Sequence, residues 1–355
     1  MRTSAARSVP ERAPAPFVKW VGGKGRLMAQ LAPLLPPAVD RLRHVEPFAG
    51  GAAMFFHRRP ERALLADLNE PLVDTFRRIR DEVEAVIEVL EGLAEKTDEA
   101  SYYAGRTRYN AIREEPSPER AALFIYLNKT CFNGLHRVNR KGEFNVPRGR
   151  YKKPRVLDAD GLRAASAALA SADLVHASFE EVLGKARPGD FVYFDPPYEP
   201  VSATASFTSY ARQGFDRDDQ RRLRDVFAEL TRRGSRCMLS NSDTPFIREL
   251  YADFRIDTVA APRPSTATLV AAAGSARSSS ETTAELEGVR TVPAARGCRP
   301  APGRREACSR ALAPPRRYVF LSWWRMSELP SGSATIDMSQ TGLGMCSAVT
   351  VTPAA

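Results

Sequence analysis

The tetrapeptide Asp195-Pro196-Pro197-Tyr198 follows the apolar run Phe191-Val192-Tyr193-Phe194. That places a carboxylate at the C-terminal end of a strand, where open α/β sheets carry their reactive groups. Asp195 supplies the carboxylate and Pro196 a backbone carbonyl, and the two prolines stiffen the turn so that both acceptors stay in place. Two such acceptors can draw the delocalised lone pair of an exocyclic amino nitrogen towards tetrahedral geometry, ready to attack an electrophilic methyl group. Tyr198 adds a ring on which a flipped base could stack, offsetting part of the few kcal/mol that unstacking costs. Attack on a methyl sulfonium needs no metal and no covalent enzyme intermediate; holding donor and acceptor in line is the main contribution. Taken alone, the tetrapeptide reads equally as a rigid turn leaving a strand.

Such a site needs a cofactor half, and the early sequence offers one. Glu46-Pro47-Phe48-Ala49-Gly50-Gly51 closes a strand with glycines that let the backbone approach a ligand as the chain turns into a helix. The next strand ends in Asp67, where an acidic side chain can accept hydrogen bonds from both hydroxyls of a ribose; the alternative is that Asp67 caps the helix after Asn69. Phe17-Val18-Lys19-Trp20-Val21-Gly22-Gly23-Lys24 superficially resembles a phosphate loop, but Lys24 is followed by Gly25 instead of Ser or Thr and the second glycine is not at the required spacing. Lys24 and Trp20 could instead serve a cofactor's carboxylate and an aromatic face.

The elements that must position these residues are α/β. Short β-rich runs at residues 45–48, 63–68, 174–178, 191–195, 236–241 and 254–261 alternate with helical patterns, the signature of a mostly parallel sheet. Val73, Phe76, Ile79, Val83, Val86, Ile87, Leu90 and Leu93 recur at helical spacing and predict one helix with a core-facing side. A second helix is expected over 216–232, with Leu223, Val226, Phe227 and Leu230 inward and Gly234 as its stop. Residues 98–160 interrupt the alternation: an aromatic-rich helical stretch is followed by 131–155, where eight basic residues accompany one acidic residue among glycines and asparagines. That is the pattern of an inserted domain with a nucleic-acid-reading hairpin.

The whole chain agrees. Its 355 residues carry 52 Lys plus Arg against 42 Asp plus Glu, a formal charge of +10 that favours a polyanionic partner. The five cysteines are odd in number, spread out and without Cys-x-x-Cys spacing, so neither a disulfide framework nor a zinc site is indicated and a reducing cytoplasm is expected. Residues 1–15, rich in Arg and Pro, read as a disordered leader and not as a secretory signal. No run reaches the roughly 18 apolar residues of a membrane span.

In this order and spacing the motifs resemble the Dam-type (alpha-group) DNA adenine-N6 methyltransferase family. The resemblance runs over 16–263 and includes Asn128-Lys129-Thr130-Cys131-Phe132-Asn133-Gly134-Leu135, Gly142-Glu143-Phe144-Asn145-Val146-Pro147, and Phe207-Thr208-Ser209-Tyr210 with Gly214-Phe215. It implies a Rossmann-like S-adenosylmethionine-dependent methyltransferase sheet over 16–97 and 161–262, with a mainly helical DNA target-recognition domain bearing a basic hairpin inserted at 98–160. It further implies S-adenosylmethionine as methyl donor without a metal, held by Trp20, Lys24, Phe48, Gly50 and Asp67. Asp195 would stand at the junction of cofactor and adenine, acting with Pro196 and Tyr198. The hairpin around Leu135, Arg137 and Pro147 would enter double-stranded DNA, with Phe132 and Asn133 near the gap left by a flipped base. Arg137 would read a guanine, and Arg140, Lys141, Arg148 and Lys152 would touch phosphates or form a solvated charged face. The expected target is GATC, the expected state a monomer in the bacterial cytoplasm, solitary or paired with a restriction endonuclease.

One departure stands out. The family continues past the strand at 254–261 with a basic loop and a final strand, whereas this chain turns to Arg263-Pro264-Ser265-Thr266-Ala267-Thr268 and a composition poor in aliphatic periodicity. A neighbouring reading frame could encode the family loop, so 263–355 is expected to be an atypical, frameshifted tail that leaves a sheet edge unpaired. Two alternatives to an adenine methyltransferase follow: a catalytically impaired DNA-binding remnant, and an amino-methyltransferase of cytosine N4 or RNA.

Overall fold

Apolar runs whose side chains alternate between two sides form the strands. In Phe191-Val192-Tyr193-Phe194 all four side chains are buried, Val192 and Phe194 in one apolar cluster and Phe191 and Tyr193 in another. Period-two geometry gives this division in a strand covered on both faces. The computed structural model describes residues 12–201, 215–261 and 316–322. Its strands are β1 (His44–Glu46), β2 (Ala63–Asp67), β3 (Ala172–His176), β4 (Phe191–Phe194), β5 (Arg236–Ser242), β6 (Arg255–Ala261) and β7 (Arg316–Ser322). They lie in the order β3-β2-β1-β4-β5-β7-β6. The pairs β1/β2, β2/β3, β1/β4 and β4/β5 are parallel, and β7 runs antiparallel to both β5 and β6. All six expected strands are present, with ends shifted by two residues at most. Strand order reverses between β1 and β4, and the crevice beyond the carboxyl ends of strands at such a reversal is where open α/β sheets bind ligands.

The helices are α1 (Met28–Leu31), α2 (Ala53–Arg58), α3 (Glu70–Asp81), α4 (Val83–Ala94), α5 (Glu99–Ala111), α6 (Pro118–Thr130), α7 (Ala159–Leu169), α8 (Arg217–Arg232) and α9 (Pro245–Leu250). The single helix expected from Val73 to Leu93 is two, because Glu82 leaves helical geometry at φ −137° and ψ 39°. The periodicity did not reveal the break because Phe76 and Ile79 on one side of it and Val86, Ile87 and Leu90 on the other bury in the same cluster. Helix α8 begins as expected, with Asp216 and Asp219 closing a reciprocal capping box. Past its end Gly234 takes φ +93°. None of the described helices is long and apolar enough to cross a membrane.

Residues 98–160 are helical and then irregular, as their sequence suggests. Their helices, however, share a hydrophobic cluster with α3 and α4: Tyr102, Tyr109 and Leu123 bury with Phe76 and Leu90. Arg120, 2 % exposed, fastens α6 to α3 through Asp74 at 2.7 Å and Glu70 at 2.8 Å. The stretch is thus joined to the sheet domain by a continuous core.

The expectation of an unpaired sheet edge is not met. Within 263–355, residues Arg316–Ser322 form β7, whose Val319 and Leu321 bury on one face of the sheet while Phe320 buries on the other. The run Tyr318-Val319-Phe320-Leu321 is a sound strand signal; its isolation from the other motifs hid its place beside β5. The remainder of the tail, including 263–273 and Trp323-Trp324, lies outside the described residues, as do residues 1–11 of the leader, the Phe207-to-Tyr210 motif and Gly214. If β7 packs as described, Phe320→Ala should lower the free energy of unfolding by about 3–5 kcal/mol, read from urea denaturation. A midpoint equal to the parent's would mean that Phe320 is not part of the core.

Candidate active site and nucleic-acid interface

Chain geometry at the end of β1 builds the first wall of the crevice. After Glu46 the chain turns through Gly50, whose φ is +48°, into α2. A Cβ on Gly50 would stand 2.6 Å from Trp20 Cδ1, so glycine is demanded by both the backbone and the indole over it. Glu46 closes the turn from beneath: its Oε1 accepts the Phe55 N–H at 2.7 Å and lies 2.6 Å from His44 Nε2. Burial pushes the Glu46 carboxyl well above its usual range and holds His44 well below.

Asp67 ends β2 beside that turn. Its Oδ2 accepts the Gly50 N–H at 2.9 Å and its Oδ1 the Asn69 N–H at 2.8 Å. Burial raises its pKa, opposed by these backbone donors. The cap of α3 is Asn69, whose Oδ1 accepts the Leu72 N–H; Asp67 is not the cap but the brace of the Gly50 turn. Phe48 stacks on Phe179 at 5.4 Å and meets Phe215 edge-on at 5.8 Å, an aromatic group at the same end of the sheet.

Across the crevice stands Asp195. The Lys24 ammonium, 4 % exposed, donates to Asp195 Oδ1 at 2.6 Å and Oδ2 at 2.7 Å, donates to the Gly22 carbonyl at 2.6 Å and lies 4.7 Å from the centre of the Tyr198 ring. The sequence placed Lys24 near a cofactor carboxylate; the carboxylate it meets here is that of Asp195. The Ser240 hydroxyl donates to Asp195 Oδ1 at 2.7 Å, and the Tyr193 hydroxyl to Ser240 Oγ at 3.3 Å. Pro196 is buried. The turn beyond is pinned: Gln220 donates to the Pro197 carbonyl at 2.9 Å, Asn241 donates to Gln220 at 3.1 Å, and Asn241 accepts the Glu199 N–H at 3.1 Å. Ser240, Gln220 and Asn241 escaped the sequence reading. The signal for Ser240 and Asn241 was Ser240-Asn241-Ser242, polar residues ending a strand whose burial is complete from Cys237 onward; Gln220, on α8, had none.

The basic segment is a hairpin closed by irregular pairing. Phe132 donates to the Pro147 carbonyl, Asn145 to that of Arg137, and Asn139 to that of Glu143, with a tight turn from Asn139 to Gly142. Asn133 takes φ +55° and Gly134 +64°, which carries Phe132, 42 % exposed, and Asn133 outward. Arg137, Arg140, Lys141, Pro147 and Lys152 are exposed. Two residues named from the sequence face elsewhere: Leu135 packs partly buried against the core, and Arg148 donates to the Thr97 carbonyl at 2.8 Å. Arg137 donates from Nε to Asn145 Oδ1 at 2.7 Å.

The hairpin base is tied to the crevice. Asn128 accepts the Lys19 N–H and donates to the Lys19 carbonyl, both at 2.7 Å, and also donates to Gly134 O. His136 lies over Trp20 with ring centres 6.2 Å apart and planes at 25°. Trp20, Gly50 and Asp67 thus form one contact group and Lys24, Asp195 and Tyr198 another, joined through the segment 20–24, where the Gly23 N–H donates to the Trp20 carbonyl and Lys24 to that of Gly22.

Residues 20–263 match the family model described as D12 class N6 adenine-specific DNA methyltransferase. The chain is 42 % identical over 253 residues to the Type II methyltransferase M1.LlaDCHI of Lactococcus lactis subsp. cremoris, covering 70 % of this chain and 88 % of that protein. It is 39 % identical over 264 residues to the Type II methyltransferase M.MjaIII of Methanocaldococcus jannaschii, covering 70 % and 91 %. To the DNA adenine methylase of Escherichia coli it is 34 % identical over 245 residues, covering 68 % and 86 %. With the sheet order, the crevice and these matches in agreement, the chain belongs to the D12 class N6 adenine-specific DNA methyltransferases.

Proposed function

We propose that this protein transfers a methyl group from S-adenosylmethionine to N6 of an adenine flipped out of duplex DNA, with GATC as the target. The observation that carries the reading is Asp195, held just past β4 by Lys24 and Ser240, at the same end of the sheet as the Gly50 turn that follows the neighbouring parallel strand β1. That turn suits the cofactor: Gly50 leaves room where a Cβ would collide with Trp20, and Asp67 offers a braced carboxylate to ribose hydroxyls. The Phe48, Phe179 and Phe215 rings would take the cofactor's adenine.

When bound, the cofactor supplies an electrophilic methyl on sulfur; as N6 forms its new bond to carbon, the carbon–sulfur pair returns to sulfur. The protein's share is positioning and polarisation. Asp195 Oδ1 accepts from Ser240 and Lys24 and Oδ2 from Lys24, with the Tyr198 hydroxyl also beside the carboxylate; an incoming N6–H would join these donors at Oδ2. The Pro196 carbonyl would receive the second N6–H, pulling the amine out of conjugation, and Oδ2 is then placed to take the proton that N6 releases. Tyr198, fixed beside Lys24, offers a face to the flipped base.

On the hairpin, Arg137 would read a guanine, Phe132 and Asn133 would fill the gap in the stack, and Arg140, Lys141 and Lys152 would contact phosphates. Arg148 is better read as a structural tie to Thr97. Relatives named Type II methyltransferases support a cognate restriction endonuclease as partner, and we take the working form to be a monomer in the cytoplasm. Strand β7 beside β5 removes the open edge that favoured an impaired remnant.

Labelled-methyl transfer to plasmid DNA with base analysis tests the chemistry. Asp195→Asn and Asp195→Ala should lower transfer by at least about 10²-fold while duplex binding stays within about twofold of the parent; methyl-adenine formed at the parent's rate by either variant would end the reading. A duplex series with single changes in GATC tests the address. Arg137→Ala should lose about 1–3 kcal/mol of discrimination at one guanine position. Lys152→Ala should weaken all sequences alike and reduce the salt slope by about one. Undiminished discrimination in the Arg137 variant would remove that residue from the readout.

A further inference from the structure

His136 precedes the exposed Arg137 on the hairpin, yet its own ring is buried between the hairpin and the cofactor crevice, against Phe124 at 5.5 Å and Phe144 at 5.8 Å. Two contacts carry it further. Its Nδ1 lies 3.0 Å from Asn69 Nδ2, and its ring overlies Trp20. The direction of the first contact is fixed. Asn69 Oδ1 is engaged by the Leu72 N–H, so Nδ2 is the donor and His136 Nδ1 the acceptor. An accepting Nδ1 requires a neutral ring with respect to that atom, and burial, which lowers the His136 pKa to about 4, supplies it.

Both contacts converge on Asp67. Asn69 holds Asp67 Oδ1 through its backbone N–H at 2.8 Å. Trp20 packs on Gly50, whose N–H holds Asp67 Oδ2 at 2.9 Å. On the hairpin side of His136, contact with DNA would change the bonding of Arg137. Arg137 donates from Nε to Asn145 Oδ1 and from Nη2 to Asn145 O, and a bidentate grip on a guanine exchanges at least one of these bonds for the base. Such an exchange one residue from His136 biases the seating of its ring, and with it the carboxylate that faces the cofactor.

We infer that His136 is a positioning residue that couples DNA occupancy of the hairpin to the order of the cofactor crevice, so that duplex and cofactor bind with positive linkage. The inference rests on the proposed adenine methylation of DNA and adds a regulation to that same site. It gives the enzyme a reason to hold cofactor most tightly when a target is present. Linkage is reciprocal, so the cofactor product must tighten duplex binding by the same factor.

The test is calorimetric. S-adenosylhomocysteine is titrated into the full chain alone and in the presence of a saturating duplex that the parent protein methylates. The parent should bind it at least about fivefold more tightly with duplex than without. His136→Phe keeps an aromatic ring in the apolar site but removes the acceptor for Asn69, and its factor should fall to within about twofold of one. His136→Asn can return an acceptor oxygen and should recover more than half of the parent's coupling on a logarithmic scale. A factor of one in the parent, or an undiminished factor in His136→Phe, overturns the inference. Equal loss in both variants would assign the effect to packing and also overturn it. A parent protein that methylates no duplex would bring down the function reading and this inference together, whereas methylation without linkage would sink the inference alone.

Discussion

The buried pair of Lys24 and Asp195 is the contact on which the crevice is built. An ammonium that is 4 % exposed and a carboxylate that is 22 % exposed have each lost much of their hydration. Removing Asp195 strands the buried Lys24 charge at a cost of up to about 3–5 kcal/mol, whereas removing Lys24 costs less because Asp195 keeps part of its hydration. The pair is acceptable because its remaining valences are used: Gly22 O takes a second Lys24 proton, and Ser240 donates to the carboxylate. It also fixes topology. Lys24 reaches Asp195 only if the N-terminal segment lies across the ends of β1 and β4, and that segment is anchored behind it by Phe17 against Phe76 and by the two Asn128 bonds to Lys19.

From that constraint the two halves of the site acquire different mechanical characters. The Asp195 side is over-determined, with α8 and β5 gripping the turn through Gln220 and Asn241. Under the proposed chemistry, in which this turn presents two acceptors to one nitrogen, such stiffness is an advantage, because misplacement by an ångström is costly. The Asp67 side depends on two backbone N–H bonds, and the residues that set those bonds, Asn69 and Trp20, are touched by the hairpin through His136. On the proposed function, a change at the hairpin has a physical route to the Asp67 side through His136 that does not pass through Asp195.

Much of this was legible in the sequence, for identifiable reasons. Strands such as 191–194 are continuous apolar runs, so burial on both faces marks them unambiguously, and Gly50 and Asp67 lie where strand ends must lie. Tertiary partners were not legible. Nothing in the spacing of Lys24 and Asp195, 171 positions apart, joins them, and the broken phase at Glu82 is invisible because the apolar stripe continues across it. Leu135, which the resemblance placed in the DNA, and Arg148, named from its charge, are both part-buried, Leu135 against the core and Arg148 on the Thr97 carbonyl, since a hairpin has two faces and composition does not say which residue takes which. His136, next to the exposed Arg137 in sequence, carries no signal that its ring turns back over Trp20; only the fold shows that.

Strand β7 shows why the unusual C-terminal region need not undo the sheet. The chain between β6 and β7 spans residues 262–315, far longer than a tight hairpin connection. The entropy of closing a connection grows only logarithmically, by about 0.6 kcal/mol per doubling. On length alone, a tenfold longer connection costs about 2 kcal/mol more. Against it stand Val319, Phe320 and Leu321, all buried, each contributing on the order of 1.5–3 kcal/mol. The strand also satisfies hydrogen-bonding edges on β5 and β6 at once. Strand β7 thus fills the place between β5 and β6 and buries apolar side chains on both faces of the sheet, despite the long connection that precedes it.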